Sequence, residues 1–422
     1  MPNFNIGALR QLPPATFFAD FRNGYTNEMV RLNTTRSTTV STRVNNSGLI
    51  ETVGANIPRL DYDPLTRAVK GLLVEPAAQN KSPYSENFNS WSKIRAVPTL
   101  STEETPDGDT SSKYIKLVDD GGGGAYNAFV YRGITVSGNT KYTASVFAKA
   151  DGVSYIKLLA HSSGDIASQV FGLTGDGVLG SPSGPIQDSS IEAYPNGWYR
   201  CSITRTTLSG DTSMRFDIGM ASNATGAGVN MDGTSSVFVW GAQVETGPIA
   251  TSYIPTTTAS VTRNKDDISI SSASGLIGQT EGTLYVEVDW RDASGTFQWL
   301  LSANNGTYDN RVFIYKHNSD ELRMLARADG NTKTDQGGSS TGYSGIQKIA
   351  FAYKTDDFQL YRNGSSVSSD TSGSLASLAT LTVIDIGQQG FGESQQANMW
   401  IRAVALFKKR LTDQQLQALT GN

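Results

Sequence analysis

The sequence predicts an all-β protein: two antiparallel jelly-roll or β-sandwich domains behind an extended N-terminal arm and neck, with one short C-terminal helix. Composition is the first argument. The chain has 43 glycines, abundant Ser, Thr and Asn, and only 18% charged residues, which suits short strands joined by turns and not helices. Period-two alternation recurring at short spacing is the second argument. Length is the third, because 422 residues exceed one ordinary core and fit two domains plus a shorter segment.

Residues 1–30 form the arm. Pro13, Pro14 and the rings of Phe17, Phe18 and Phe21 crowd a segment too short to bury them by itself, so a partner surface is expected to cover the rings. Residues 31–79 form the neck. Two short strands flank the turn cluster Asn45-Asn46-Ser47-Gly48, and Pro58 and Pro64 bias their predecessors to extended backbone before the run Gly71-Leu-Leu-Val-Glu75. Apolar positions without a core of their own predict that the neck oligomerises.

Residues 80–263 form the first sandwich. Strands are expected at Lys113–Val118, Ala128–Thr135, Lys141–Ala150, Tyr155–Ala160, Trp198–Arg205, Met214–Met220 and Ser236–Glu245. Alternation from Lys141 to Lys149 places Tyr142, Ala144, Val146 and Ala148 on one face and Thr143, Ser145 and Phe147 on the other, which predicts a half-buried strand. Residues 264–422 form the second sandwich. It opens on the alternating Gly282–Trp290, carries Asn363-Gly364 between two strands as a hairpin signal, and closes on Met399–Phe407. Thr412 is the N-cap and Gln415 the capping-box partner of the helix, with Leu416 and Leu419 on one side.

Several function classes are excluded. Lys and Arg total 35 against 39 Asp and Glu, a net charge of −4, so no basic excess faces a phosphate backbone and nucleic-acid binding is not expected. No window approaches the roughly 18 apolar residues of a membrane span, and the N-terminus lacks a leader pattern, so a chain made and kept in a cytoplasm is expected, with no membrane insertion. The single cysteine, Cys201, rules out an intrachain disulfide and sits in the strand-like run Trp198–Ile203, where a small buried thiol fits.

Five ordered blocks give the middle segment a family likeness: Tyr84-Ser-Glu-Asn-Phe88 with Trp91, Thr105-Pro-Asp-Gly108, Tyr142–Ala150, Asn196-Gly-Trp-Tyr-Arg-Cys201, and Val239–Gly247 followed by Ala250–Thr256. Together they resemble the phage head spike fibre domain family, and the neck around Asn56–Pro64 and Gly71–Glu75 looks like the segment that introduces such domains. The last segment resembles concanavalin A-like or laminin G-like jelly rolls, through Leu360-Tyr-Arg-Asn-Gly364 and Leu411-Thr-Asp-Gln-Gln-Leu416. These resemblances imply a non-enzymatic structural appendage of a bacteriophage virion, a head or tail fibre assembled in the host cytoplasm. Its expected partners are capsid or tail proteins, a homotrimer of itself, and host surface glycans. Phe17, Phe18 and Phe21 would then serve virion attachment.

Candidate chemistry is sparse. Tyr126, Trp299, Tyr308 and Tyr343 lie beside Gly-, Asn- or Ser-rich turns and are the candidate sugar platforms, since a pyranose CH face packs on a π surface. The rival reading for each is ordinary packing. Glu287 and Asp289, within Glu287-Val-Asp-Trp-Arg-Asp292, look like the catalytic strand of laminarinase-type hydrolases except for the final Asp. They support an alternative reading as a glycan-cleaving tail protein, against which stands a plain polar strand face. His161 and His317 sit in no triad-like context, and Asp119-Asp-Gly-Gly-Gly-Gly124 lacks the ending of a phosphate-binding loop. Neither Asp309-Asn310 nor Asp356-Asp357 has calcium-ligand spacing. No cofactor, metal or catalytic residue is assigned.

Overall fold

The computed structural model describes residues 12–23, 31–38, 40–292, 297–339, 343, 345–388 and 396–421. Two antiparallel sandwiches make up the fold. In the first, a six-stranded sheet ordered Asp188–Ala193, Trp198–Thr206, Lys141–Ala150, Ser236–Thr246, Lys113–Asp119, Ala96–Ser101 packs on another ordered Val178–Ser183, Asp165–Gly172, Tyr155–Ser162, Ser213–Ala221, Ala128–Thr135, Ser92–Ile94. Their facing residues, among them Val146, Phe171, Cys201, Phe216 and Val239, form one core.

The expected half-burial of Lys141–Ala150 is not observed. Tyr142, Ala144, Val146 and Ala148 do face that core, but Thr143, Ser145 and Phe147 are buried as well. A second aromatic cluster covers the outer face, in which Phe147 meets Trp198, Trp240, Tyr194 and Tyr253 beneath Val44 and Ile50 of the neck. The Phe147 and Trp240 ring centroids lie 5.4 Å apart and those of Trp240 and Tyr253 4.6 Å apart.

The second sandwich draws on both ends of the chain. Its eight-stranded sheet runs Ser365–Asp370, Asp357–Arg362, Ile346–Lys354, Glu281–Trp290, Met399–Phe407, Val69–Val74, Arg59–Tyr62, with Phe17–Asp20 also on Met399–Phe407. The opposing seven-stranded sheet runs Asn33–Thr35, Asp267–Ile270, Val383–Ile386, Gln298–Asn304, Arg311–Lys316, Glu321–Ala328, Asn331–Ser339. The C-terminal helix, Asp413–Thr420, starts on the expected capping box: Gln415 N donates to Thr412 Oγ1 at 3.3 Å and Thr412 N to Gln415 Oε1 at 2.9 Å. Leu416 buries its face under Tyr285 and Phe407.

Arm and neck therefore do not stand apart as the sequence suggested. Glu281–Trp290 pairs along one edge of Met399–Phe407. The other edge would leave its backbone groups bare. Leu72–Val74 takes one half of it and Phe17–Asp20 the other. Phe17 and Phe21 then fall into the chain's own core with Leu60, Leu72 and Val74, leaving only Phe18 exposed. Two of the three rings expected to need a partner surface are buried intramolecularly, and so are most of the neck's apolar positions, among them Ile50, Val53, Leu60 and Leu72, while Ile57 and Leu65 stay exposed. Ala78–Asn80 pairs with Val261–Arg263, so the chain enters and leaves the first sandwich side by side. That sandwich is an insertion within the second.

A buried ion cluster closes the junction. Glu75 accepts hydrogen bonds from Arg59 at 2.8 Å, from Arg263 and Arg291, and from both N and Oγ of Ser252 at 2.8 and 2.7 Å. Asp266 takes Arg36 at 2.6 Å, Arg59, and the Glu75 N–H at 3.0 Å. The side chains of Arg36, Arg59, Arg263 and Glu75 have no exposed surface. Burial alone would raise the Glu75 carboxyl, but Arg263, Arg59 and Arg291 hold it well below the usual carboxylate range. Removing one member strands the others as uncompensated charge. Glu75→Gln is therefore expected to lower stability by about 3–5 kcal/mol, read from urea denaturation. A loss below about 1 kcal/mol would show that the cluster is not the clasp.

Candidate functional site

Alternation divides the seven-stranded sheet into an inner and an outer face. On Arg311–Lys316, Val312 and Ile314 enter the core. Arg311, Phe313 and Tyr315 take the outer face. On Glu321–Ala328, Leu322, Met324 and Ala326 go inward, leaving Arg323, Leu325 and Arg327 outside.

Gln298–Asn304 needs a correction to match its neighbour. Trp299 would share a face with Leu301 and Ala303 on a regular strand. The pairing skips Leu300, going from Trp299↔Tyr315 to Leu301↔Ile314. That bulge turns Trp299 outward while Leu301 and Ala303 stay in the core.

The result is an outer aromatic cluster. Trp299 and Phe313 centroids are 4.4 Å apart, Trp299 and Tyr315 stack at 5.4 Å, and Phe297 stacks over Tyr315 at 6.4 Å. The Arg311 guanidinium lies 4.7 Å from the Phe313 ring centre, 5.0 Å from Tyr308 and 5.6 Å from Trp299. Tyr308 is the open member at 43% exposure, whereas Trp299 is 7% exposed. Its loop is tied down by asparagines: Asn304 Oδ1 accepts from Gly306 N at 2.9 Å and Asn310 Oδ1 from Ala379 N at 2.9 Å. Burial, together with the neighbouring Arg327 charge, pulls the Arg311 guanidinium down to about 10.

Polar groups continue the face. Asp385, paired in register with Ser302, accepts a 2.6 Å hydrogen bond from Asn304 Nδ2. Burial pushes its carboxyl up to about 7, against the Asn304 bond and with help from Asp267.

The structure thus brings two of the four expected platforms, Trp299 and Tyr308, to one place around Arg311. Tyr126 is exposed on the first sandwich beneath Arg95, 4.1 Å away. Tyr343 belongs to the core, edge-on to Trp290 at 5.0 Å, with its hydroxyl donating to Asp320 O at 3.0 Å. Arg311, Phe313, Tyr315, Asn304 and Asp385 were not singled out from the sequence. The alternation Arg-Val-Phe-Ile-Tyr-Lys was the available signal for the first three.

Glu287 is committed elsewhere. It is 2% exposed, held by Arg402 Nε at 3.0 Å and by Arg22 of the arm at 3.1 Å. Burial raises Asp289, with Arg402 and Lys70 opposing. His161 meets Asp217 at 3.0 Å on the first sandwich. His317 Nδ1 lies 2.7 Å from Ser319 Oγ and also accepts the Ser319 N–H, a local turn arrangement. Burial pushes the Cys201 thiol well up. Among the described residues no group of three His, Cys, Asp or Glu is placed to hold a metal ion.

No family model matches the chain, and no curated protein matches it. Solved structures similar to part of it include the CBM40 domain of a Ruminococcus gnavus IT-sialidase, at 19% identity over 36% of this chain and 92% of that one, TM-score 0.31. A leech intramolecular trans-sialidase matches at 19% identity over 37% of this chain and 26% of its own, TM-score 0.31. A botulinum neurotoxin type C structure, titled for its interaction with two ganglioside molecules, matches at 12% identity over 37% and 40%, TM-score 0.32.

Asp385 makes the stability of this sheet depend on pH. Its native carboxyl keeps a proton to higher pH than the unfolded value of about 3.9, so its contribution is full below about pH 4 and is lost as pH rises through about 7. Asp385→Asn, which still accepts from Asn304, should flatten that part of the profile and stabilise the protein at pH 8 by roughly 1–3 kcal/mol. Urea midpoints at pH 5 and pH 8 that shift equally in both proteins would contradict this.

Proposed function

We propose that this chain is a structural appendage of a bacteriophage virion that recognises glycans through the outer face of its seven-stranded sheet. The observation that carries the glycan part is the open ring of Tyr308 beside Arg311, backed by the buried rings of Trp299, Phe313 and Tyr315. Rings that accept CH faces beside polar groups that orient hydroxyls are the means by which proteins hold saccharides. The virion part is supported by the five sequence blocks. They supply Phe88, Trp91 and Tyr142 to one core and Trp198, Trp240 and Tyr253 to the cluster beneath the neck.

Attachment to capsid or tail proteins falls to the N-terminal segment, where Phe18 is 43% exposed. Trimerisation belongs to the same reading and would use surfaces other than the buried neck. Light scattering should then give three times the chain mass.

Two measurements test the proposal. Antibody against the chain should label intact virions at a defined position on head or tail, and purified virions that lack the chain would end the appendage reading. On an array of bacterial surface glycans the full chain should bind selectively. Tyr308→Ala should weaken that binding about tenfold with an unchanged urea midpoint, because an open ring contributes stacking and little to the core.

A further inference from the structure

We propose that the saccharide taken by the Arg311 face is acidic, a sugar bearing a carboxylate that pairs with this guanidinium. The inference rests on the glycan-binding reading and names the class of sugar.

Arg311 is 7% exposed, and among the described residues its buried Nε and Nη1 have no hydrogen-bond partner. Among the described residues no carboxylate comes within ion-pair distance of it. Asp309 lies near enough to act on its charge but does not pair with it. Its direct strand partner is a second arginine, Arg327, whose Nη2 donates to Gly330 O and whose Nε is also unpartnered. Two guanidiniums thus stand side by side.

Other buried arginines of this chain are treated differently. Arg36 and Arg59 meet Asp266, Arg263 meets Glu75, and Arg205 meets Asp165 at 2.7 Å. Arg200 meets no carboxylate among the described residues but donates to Ser145 Oγ at 3.3 Å. A desolvated guanidinium is costly to leave unmatched. Rings on three sides offset part of that cost through their faces, yet they supply no acceptor for the N–H groups. A planar carboxylate does, since its two oxygens match the donor geometry of a guanidinium. The open Tyr308 ring beside it offers the sugar's CH face a surface. A neutral sugar would use the ring and leave the cations unmatched.

The test uses the full chain and an array carrying uronic-acid oligosaccharides, their methyl esters, sugar phosphates and neutral oligosaccharides. Calorimetry then follows on the best acid and its methyl ester. The acid is expected to bind at least tenfold tighter than its ester, with affinity falling as salt rises. The ester comparison alters only the ligand, so it stands even if a variant at this buried position folds poorly. Arg311→Lys keeps the charge but loses the fork, and should narrow the preference for the acid over its ester about tenfold. Equal binding of acid and ester, or preference for neutral sugars or sugar phosphates, would overturn the acidic assignment while the glycan-binding reading survives. Binding to no sugar on the array would remove both.

Discussion

Glu75 sits at the junction with no exposed surface and three guanidiniums on its two oxygens. Each comes from a different stretch of chain. Arg59 belongs to the neck, Arg263 to the strand that leaves the first sandwich, and Arg291 directly follows the strand Glu281–Trp290. Ser252, from the last turn of the first sandwich, completes the set. Charges taken out of water tolerate no partial assembly, because any missing partner leaves the rest uncompensated in a low dielectric. The cluster therefore forms only when neck, first sandwich and second sandwich are all in place, which makes the junction a rigid joint and not a hinge.

That joint explains the unusual use of the N-terminal residues. A sandwich whose closing strand, Met399–Phe407, is paired on one side only would present a bare edge. Phe17–Asp20 and Leu72–Val74 cover it, and the arm and neck contribute Phe17, Phe21, Leu60, Leu72 and Val74 to the core beneath. Meanwhile Val44 and Ile50 of the neck hairpin shield the outer aromatic face of the first sandwich. One stretch thus buries the exposed surfaces of both sandwiches. Its lack of an independent core reflects cores supplied elsewhere in the same chain.

The candidate site follows from a smaller irregularity. Were the ladder regular through Leu300, with no bulge, Trp299 would share the inner face of Leu301 and the outer face would lose the ring that packs on Phe313 and Tyr315. The bulge costs a break in the ladder and gains a packed aromatic cluster under Arg311. Glu287 shows the converse. A carboxylate on a strand of the right kind suggested hydrolysis, but Arg22 arrives from 265 residues away to neutralise it, a contact that no local pattern announces.

Local chemistry was sufficient for much of the fold. Period-two alternation located the strands Ala128–Thr135 and Lys141–Ala150 at their observed ends, and the pairing of Thr412 with Gln415 located the helix start, because each of these depends on neighbours within a few residues. Trp299 and Tyr308 could be nominated from their turns for the same reason. The sequence could not say that the strands Phe17–Asp20, Asn33–Thr35, Arg59–Tyr62 and Val69–Val74 complete the second sandwich, nor that Lys141–Ala150 is buried on both faces. Nor could it show that Tyr343 is core, or that Arg311 is left without an acid. Those depend on which distant segments cover a given face or reach a given charge. Burial and pairing are set by neighbours in space, and here the deciding neighbours are often some 200 or more residues away, as from Arg59 to Asp266 or from Asp61 to Trp400.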